Sequence, residues 1–260
     1  MDLKQPQTPS SSCAKILMLH AKTERSHIGH AQSGHFFRCK THFLQETVGN
    51  ILLKSIPKDQ NRVPFDGFEF HYPSALWPAN PDDFNEESNH MWAWGYGDPE
   101  RDRIRGLETT IDYLFRFMEI HGPFIGIMGF STGACIGAVI ASLLEKRESV
   151  GSLRFDTNHP PLGFLASFCG FPLEHPVYKS LYNPKIETPT LHVMASMDVV
   201  IEERQSLHLM EFCKNSYLHS FFGTHYVPRS EDFLDVLADF FEHAFGKDGV
   251  EEDEWEDLEN

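Results

Sequence analysis

Short apolar runs alternate along the chain with longer stretches in which apolar residues recur every three or four positions. Six runs have the length of buried strands: residues 16–20, 68–71, 124–130, 163–168, 190–195 and 217–222. Helical spacing occupies residues 36–50, 101–121, 132–147, 203–214 and 231–245. This alternation predicts an α/β fold with a six-stranded, mainly parallel sheet, right-handed crossovers and helices on both faces.

The predicted strands and helices form a single domain over residues 15–246. Residues 1–14 are rich in Ser, Pro and Gln and lack an apolar signal core, so we expect a disordered arm. Residues 248–260 contain eight acidic side chains and no basic one. We therefore expect residues 247–260 to form a disordered acidic tail.

Composition narrows the classes of partner. The net charge of −16 argues against nucleic acid as a binding partner, because its phosphate backbone is also negative. No apolar run is long enough to cross a membrane. The five cysteines are widely spaced and contain no C-x-x-C pair, which favours reduced thiols over a disulfide framework or a zinc site. We expect a cytoplasmic protein with no nucleic-acid, membrane or metal partner.

One segment predicts chemistry as well as fold. Gly129-Phe-Ser131-Thr-Gly133 follows an apolar strand and opens a helical stretch, which is the strand–turn–helix setting of a nucleophile elbow. Glycines on both sides of the serine let strand and helix approach closely. The alternative is that Ser131 only caps the helix. We interpret Ser131 as the nucleophile.

An acid and a base follow in the chain order that such hydrolases use. Asp198 comes just after the strand at 190–195, and His225 comes just after the strand at 217–222. The ends of parallel strands meet at one edge of the sheet, so both should lie near Ser131. His225 would act as general base and Asp198 would fix its tautomer. Glu202 and Glu203 compete for the role of the acid.

The oxyanion hole requires two backbone N–H groups. Thr132, directly after the nucleophile, should supply one, and the loop after the first strand should supply the other. Residues 73–99 contain three of the four tryptophans among Pro, Asn and Asp. We expect Trp92, Trp94 and Tyr96 to line an acyl pocket; the alternative is that this loop inserts its rings into the core.

Several sequence pieces occur together in order. They are Ile16-Leu-Met-Leu-His20, Gln32-Ser-Gly34 with Phe37, His121-Gly-Pro-Phe124, Gly129-Phe-Ser-Thr-Gly-Ala134, Thr188-Pro-Thr-Leu-His-Val193, Asp198 and His225-Tyr-Val-Pro228. Over residues 15–245 the chain resembles the fungal and animal family of small serine hydrolases that includes the ovarian-cancer-associated hydrolases and the thioesterase of the lovastatin pathway. The resemblance implies an α/β-hydrolase core without the first antiparallel hairpin of the larger enzymes.

The chain departs from this family pattern in two places. Residues 21–28 interrupt the usual Leu-His-Gly sequence, which indicates an eight-residue insertion in the oxyanion loop. By alignment the second oxyanion donor is the N–H of His30; by distance from the strand it is that of Lys22. Thr132 stands where the family usually has Gln. Of two further histidines, His20 should orient the oxyanion loop and His192 should be a hydrogen-bonded core residue.

Three functions follow from this reading. The first is hydrolysis of a carboxylic ester or thioester through an acyl-serine intermediate, and the resemblance implies an acyl or polyketide thioester, with a polyketide synthase as a candidate partner in fungal secondary metabolism. The second is a short-chain carboxylesterase. The third is a non-catalytic binding protein that docks through its acidic tail. No cofactor is expected for any of them.

Overall fold

A computed structural model describes residues 13–21, 33–55, 67–79 and 91–245. Most of the predicted N-terminal arm, the acidic tail, and the two candidate oxyanion donors His30 and Lys22 lie outside these ranges. The first strand begins at Cys13, so Cys13 and Ala14, assigned to the arm from the sequence, belong to the sheet.

The main sheet contains the six predicted strands. In chain order the strands are β1 (Cys13–Leu19), β2 (Gly67–His71), β3 (Trp77–Pro78), β4 (Trp92–Ala93), β5 (Phe124–Phe130), β6 (Phe164–Phe168), β7 (Thr190–Ala195) and β8 (Ser216–Phe221). The main sheet has the order β2-β1-β5-β6-β7-β8, and each of these neighbouring pairs is parallel. Separately, β3 and β4 form a small antiparallel pair that the sequence did not predict.

Five α-helices surround the sheet. They are α1 (Gly34–Ser55), α2 (Leu107–His121), α3 (Thr132–Lys146), α4 (Glu203–Glu211) and α5 (Glu231–Phe245); a 3-10 helix covers Pro176–Tyr182. Helix α2 begins at Leu107 rather than at residue 101, because Gly106 takes a left-handed φ of 82° and Arg105 pairs with Tyr96. None of the helices in the described ranges is long and apolar enough to cross a membrane.

The layers follow from the direction of the crossovers. From β1 the chain adds β2 on one side of the sheet, and from β2 it crosses back to add β5, β6, β7 and β8 on the other side. Parallel strands are connected by right-handed crossovers, so this change of direction places α1 on one face of the sheet and α2, α3 and α4 on the other. Helix α5 packs beside α1. Helix α3 is apolar on all sides because it packs against β1, β5 and β6 and against the 3-10 helix.

This architecture brings distant chain segments to one edge of the sheet. All six main strands run in the same direction, so the residues that follow β1, β5, β6, β7 and β8 lie at their shared carboxyl edge. Ligands of open parallel sheets bind at this edge. His20, Ser131, Cys169, Asp198 and His225 are therefore candidates for one site.

Candidate active site

Ser131 occupies a strained turn between β5 and α3. Its φ of 54° and ψ of −117° are uncommon for a residue with a side chain. Two kinds of hydrogen bond hold it there: its N–H donates to the Phe168 carbonyl at 2.8 Å, and its own carbonyl accepts from the N–H groups of Ala134 and Cys135. This conformation is the one required of a nucleophile elbow.

The two glycines of the elbow are required by close backbone approach. A Cβ on Gly129 would lie 2.5 Å from the Gly133 carbonyl oxygen. A Cβ on Gly133 would lie 2.1 Å from the Leu19 carbonyl oxygen, at the end of β1. The absence of side chains therefore lets the start of α3 touch both β5 and the oxyanion side of the sheet.

Asp198 and His225 form a direct pair. His225 Nδ1–H donates to Asp198 Oδ2 at 2.6 Å, and the Asp198 side chain is only 2% exposed. The other carboxylate oxygen accepts from the N–H groups of Val200 and Ile201 at 2.8 and 3.0 Å. Burial raises the pKa of Asp198, but the hydrogen bonds from His225, Ile201 and Val200 outweigh it, and the net pKa is lowered. The carboxylate is thus held in its charged form.

The loops that carry this pair are joined to each other. The N–H of Ser196 donates to the Phe221 carbonyl at 3.0 Å, and that of Met197 donates to the Gly223 carbonyl at 2.9 Å. The His225 ring packs on Phe130, the residue before the nucleophile, with 4.6 Å between ring centroids. The structure therefore brings His225 beside the elbow and Asp198 behind it.

The competing carboxylates are occupied elsewhere. Glu202 caps the N-terminus of α4 in a reciprocal arrangement with Gln205, and it pairs with Arg204 at 2.7 Å. Glu203 lies in the first turn of the same helix and is exposed. Of the three candidate acids, Asp198 is the one bonded to His225.

The oxyanion side is described only in part. Thr132 is the first residue of α3, so its N–H belongs to the N-terminal end of a helix, where backbone dipoles favour negative charge. His30 and Lys22, the alternatives for the second donor, lie outside the described ranges.

His20 anchors the end of β1. It is fully buried, and its Nε2 accepts from the N–H of Ala75 at 3.0 Å while its Nδ1–H donates to the Ala21 carbonyl at 2.7 Å. These partners fix a neutral tautomer, since a backbone N–H must donate and a carbonyl must accept. Burial lowers the pKa of His20 to about 4, although the bond to Ala21 opposes this. His20 is therefore a neutral histidine that fixes the end of β1, from which the predicted oxyanion loop starts.

The aromatic residues predicted to line an acyl pocket have partners inside the protein. The Trp94 indole is buried and donates to the His20 carbonyl at 2.7 Å, and the Trp94 carbonyl accepts from Thr110 Oγ1. The Tyr96 hydroxyl donates to the Pro78 carbonyl at 2.6 Å, and Trp92 lies in β4. These contacts attach the small β3–β4 pair to β1 and α2. Contact of Trp92, Trp94 and Tyr96 with substrate stays a prediction.

Cys169 is a neighbour of Asp198 and His225 that was not predicted from the sequence. It follows β6 directly, has a left-handed φ of 48°, and is 1% exposed. Its Sγ, a carboxylate oxygen of Asp198 and a ring nitrogen of His225 lie within 4.8 Å of one another. Burial raises the pKa of the thiol, and the negative charge of Asp198 raises it further, so it stays a neutral S–H. Its position after a predicted strand at the catalytic edge was the available signal.

Cys169, Asp198 and His225 are residue types that bind metal ions, but in this structure two of them are bonded to each other. Asp198 and His225 share a 2.6 Å hydrogen bond, and the thiol is buried and protonated. A bound cation would have to displace both this hydrogen bond and the thiol proton. None of the five cysteines, all of which lie in the described ranges, forms a disulfide.

His192 occupies the core position expected for it, on β7 beside Ser167 of β6. The expectation that its ring is fully hydrogen-bonded is wrong for one nitrogen: within the described part of the chain, His192 Nε2 and Ser167 Oγ are buried and have no hydrogen-bond partner. Burial lowers the pKa of His192 to about 4, so the ring is neutral.

Known proteins resemble this chain in sequence and in fold. The chain is 29% identical over 246 residues to a protein named Family of serine hydrolases 2 from Saccharomyces cerevisiae, covering 87% of this chain and 97% of the relative. It is 30% identical over 173 residues to Esterase OVCA2 from Xenopus tropicalis, covering 63% and 70% respectively. It also matches a dihydrofolate reductase from Schizosaccharomyces pombe at 27% identity, but the chain spans only 46% of that longer protein.

A solved structure shows the same fold. The crystal structure of Zea mays acyl-protein thioesterase 2 has a TM-score of 0.56 to this chain at 16% identity, and the match covers 92% of this chain and 97% of the other. The α/β-hydrolase architecture predicted from the sequence is thereby confirmed. The model of the family described as Serine hydrolase (FSH1) matches residues 10–237, which include Ser131, Asp198 and His225. With the elbow, the acid–histidine pair and the sheet all inside this match, the chain belongs to the FSH1 family of serine hydrolases.

Proposed function

We propose that the protein hydrolyses a carboxylic ester or thioester through an acyl-serine intermediate. The observation that carries this proposal is the Asp198–His225 pair, bonded at 2.6 Å and packed on the residue before a strained Ser131. A pair held this way and next to a nucleophile elbow is what acyl transfer requires.

The proposed reaction has two halves. His225 Nε2 takes the proton of the Ser131 hydroxyl while the oxygen attacks the acyl carbon, and the carbonyl electrons move onto the oxygen. Collapse of this intermediate expels the alcohol or thiol, which receives the proton from His225. Water then repeats the sequence, releases the carboxylic acid and restores the serine. Asp198 stays ionised throughout and stabilises the imidazolium.

The oxyanion would bind at the start of α3. The N–H of Thr132, at the N-terminal end of α3, would be the first donor. The loop after His20 is expected to supply the second donor, which we assign to the N–H of His30. Hydrogen bonds with Ala75, Ala21 and Trp94 hold His20, the residue from which that loop starts. Donors that are held in place stabilise developing charge without reorganising.

For the natural substrate we propose an acyl or polyketide thioester, with a polyketide synthase as a partner in fungal secondary metabolism. Support comes from the resemblance of the sequence pieces to the family that includes the lovastatin-pathway thioesterase. A simple short-chain carboxylesterase is the second candidate, and the relative named as an esterase favours it. We also propose a cytoplasmic site of action, since five cysteines without a disulfide suit a reducing compartment.

One experiment tests the chemistry and separates the two candidates. The protein is incubated with p-nitrophenyl butyrate and with butyryl and longer acyl N-acetylcysteamine thioesters, and intact-mass spectrometry follows acyl adducts. We expect an adduct on Ser131 that Ser131→Ala does not form. Faster acylation by the long thioester favours the first candidate, and faster acylation by the short ester favours the second. A fluorophosphonate probe that fails to label Ser131 would favour the non-catalytic reading.

A further inference from the structure

The loops that carry the catalytic pair are unusually apolar where they face water. Ten large apolar side chains are exposed in the described part of the chain, and five of them lie on these two loops. We call these five the apolar rim: Met197, Val199, Val200, Phe222 and Tyr226. Val199 is 93% exposed and Phe222 is 85% exposed.

The apolar rim is one surface and not five scattered residues. The hydrogen bonds from Ser196 to Phe221 and from Met197 to Gly223 join the two loops at their bases. Asp198 and His225 lie between the rim residues in sequence, and their side chains are directed at each other. An exposed apolar patch of this kind beside a catalytic pair marks an interaction site, since a monomer gains nothing by exposing it.

The charge of the rim restricts what it can bind. Within residues 196–201 and 222–226 the charged or basic side chains are Asp198 and His225, which are bonded to each other. Just beyond, Glu202 pairs with Arg204. No group of the rim is thus placed to match a charged head group or a charged protein surface. The net charge of −16 further opposes an anionic surface.

We propose that the apolar rim docks on the surface of an uncharged lipid assembly and thereby presents esters held in that surface to Ser131. The exposed valines and phenylalanine would enter the head-group boundary, where burial of apolar area supplies the binding free energy. The delivery of esters to Ser131 rests on the proposed hydrolase function. Binding of the rim to a lipid surface does not depend on that function. Within the rim the two ionisable groups are bonded to each other, so they offer a protein partner no outward charge with which to pair.

This proposal revises the expectation that the protein has no membrane partner. That expectation followed from the absence of an apolar run long enough to span a bilayer, and transmembrane-length apolar helices are likewise missing from the described ranges. Docking of two loops needs no spanning helix, since a few apolar side chains at an interface give reversible peripheral binding.

The test measures binding and requires no turnover. The full chain carrying Ser131→Ala is mixed with phosphatidylcholine vesicles, and its partition coefficient is measured by sedimentation. The same measurement is made after adding Val199→Ser and Phe222→Ser. The matched control adds Leu53→Ser and Ile120→Ser, which are exposed apolar positions near the ends of α1 and α2, at the opposite edge of the sheet.

We expect the rim variant to lower the partition coefficient roughly tenfold or more, because burial of each large apolar side chain contributes on the order of a tenfold factor. The control variant should bind as the parent does, and phosphatidylglycerol vesicles should bind more weakly than phosphatidylcholine. All four substituted side chains already face water, so folding should be unaffected; if the rim variant is unfolded, Met197→Ser with Val200→Ser replaces it.

Three results would overturn the proposal. The parent protein could remain in the supernatant with phosphatidylcholine, which would assign the rim to a protein partner. The rim variant could bind as tightly as the parent, which would assign binding to another surface. The control variant could lose binding equally, which would make the effect non-specific. Because Ser131→Ala is inactive by design, failure of the hydrolase proposal cannot produce any of these results.

Discussion

Two histidines stand at the same edge of the sheet and have opposite surroundings. His20 follows β1, is fully buried, and has both ring nitrogens bonded to the backbone. His225 follows β8, is partly exposed, and has one nitrogen bonded to a carboxylate. A base needs one nitrogen directed by an acid and the other available to the substrate. The hydrogen-bond partners of the two rings therefore distinguish His20, which holds the backbone in place, from His225, the candidate base.

The largest effect should come from removing the nucleophile or its base. Ser131→Ala and His225→Ala should each lower kcat by a factor on the order of 10⁴–10⁶, because each side chain acts directly on the reacting atoms. Initial rates with p-nitrophenyl butyrate measure this, and circular dichroism should show an unchanged fold. Residual activity of either variant within tenfold of wild type would contradict the assignment.

Removing the acid should be severe but milder. Asp198→Asn should lower kcat by roughly 10⁴, since an amide can hold the ring in the wrong tautomer. Glu202→Gln is the matched control, because Glu202 caps α4 and does not contact His225. If Glu202→Gln lost activity and Asp198→Asn did not, the acid would be misassigned.

His20 should affect stability more than chemistry. His20→Ala leaves the Ala75 N–H and the Ala21 carbonyl without their partner, so we expect a loss of roughly 2–5 kcal/mol in the free energy of unfolding. Activity should fall less than for His225→Ala. Urea unfolding and kcat, measured together, distinguish the two histidines; a stable but inactive His20→Ala protein would give His20 a direct catalytic role.

His20 also predicts a pH dependence of stability. Its pKa is about 4 in the folded protein and 6.5 when unfolded, so both states are neutral above pH 6.5 and the residue has no effect there. As the pH falls from 6.5 towards 4, the unfolded state binds the proton first and stability declines. The total loss in the free energy of unfolding should reach about 3 kcal/mol. His20→Gln should flatten this decline in urea titrations, provided that it folds; an unchanged slope would contradict the assignment.

Cys169 should give the smallest effect. Cys169→Ala removes a neutral thiol beside Asp198, and we expect kcat to fall only a few-fold, because the thiol does not touch the reacting atoms. Cys169→Ser keeps a polar group of similar size at this position and should recover most of the loss. Iodoacetamide should label the exposed Cys39 and spare the buried Cys169. A kcat of Cys169→Ala equal to that of wild type would leave Cys169 with a packing role alone.

The strands and the triad candidates could be read from the sequence because both depend on local pattern. Buried parallel strands are continuous apolar runs, and each candidate residue directly follows one. The β3–β4 pair could not be read this way. Its strands are two residues long, and Trp94 is held by the His20 carbonyl, 74 positions away in the chain. Cys169 does directly follow a predicted strand, but its closeness to Asp198 exists only after β6 and β7 pair.

The contact between Trp94 and His20 has an optical consequence. Its indole lies 4.9 Å from the His20 ring and donates to the carbonyl of the same residue. A protonated imidazole quenches a neighbouring indole, whereas a neutral one does so weakly. The tryptophan emission of the folded protein should therefore lose one component as the pH falls towards 4 and His20 takes up a proton. The protonation of this buried histidine could be followed in that way without any attached dye.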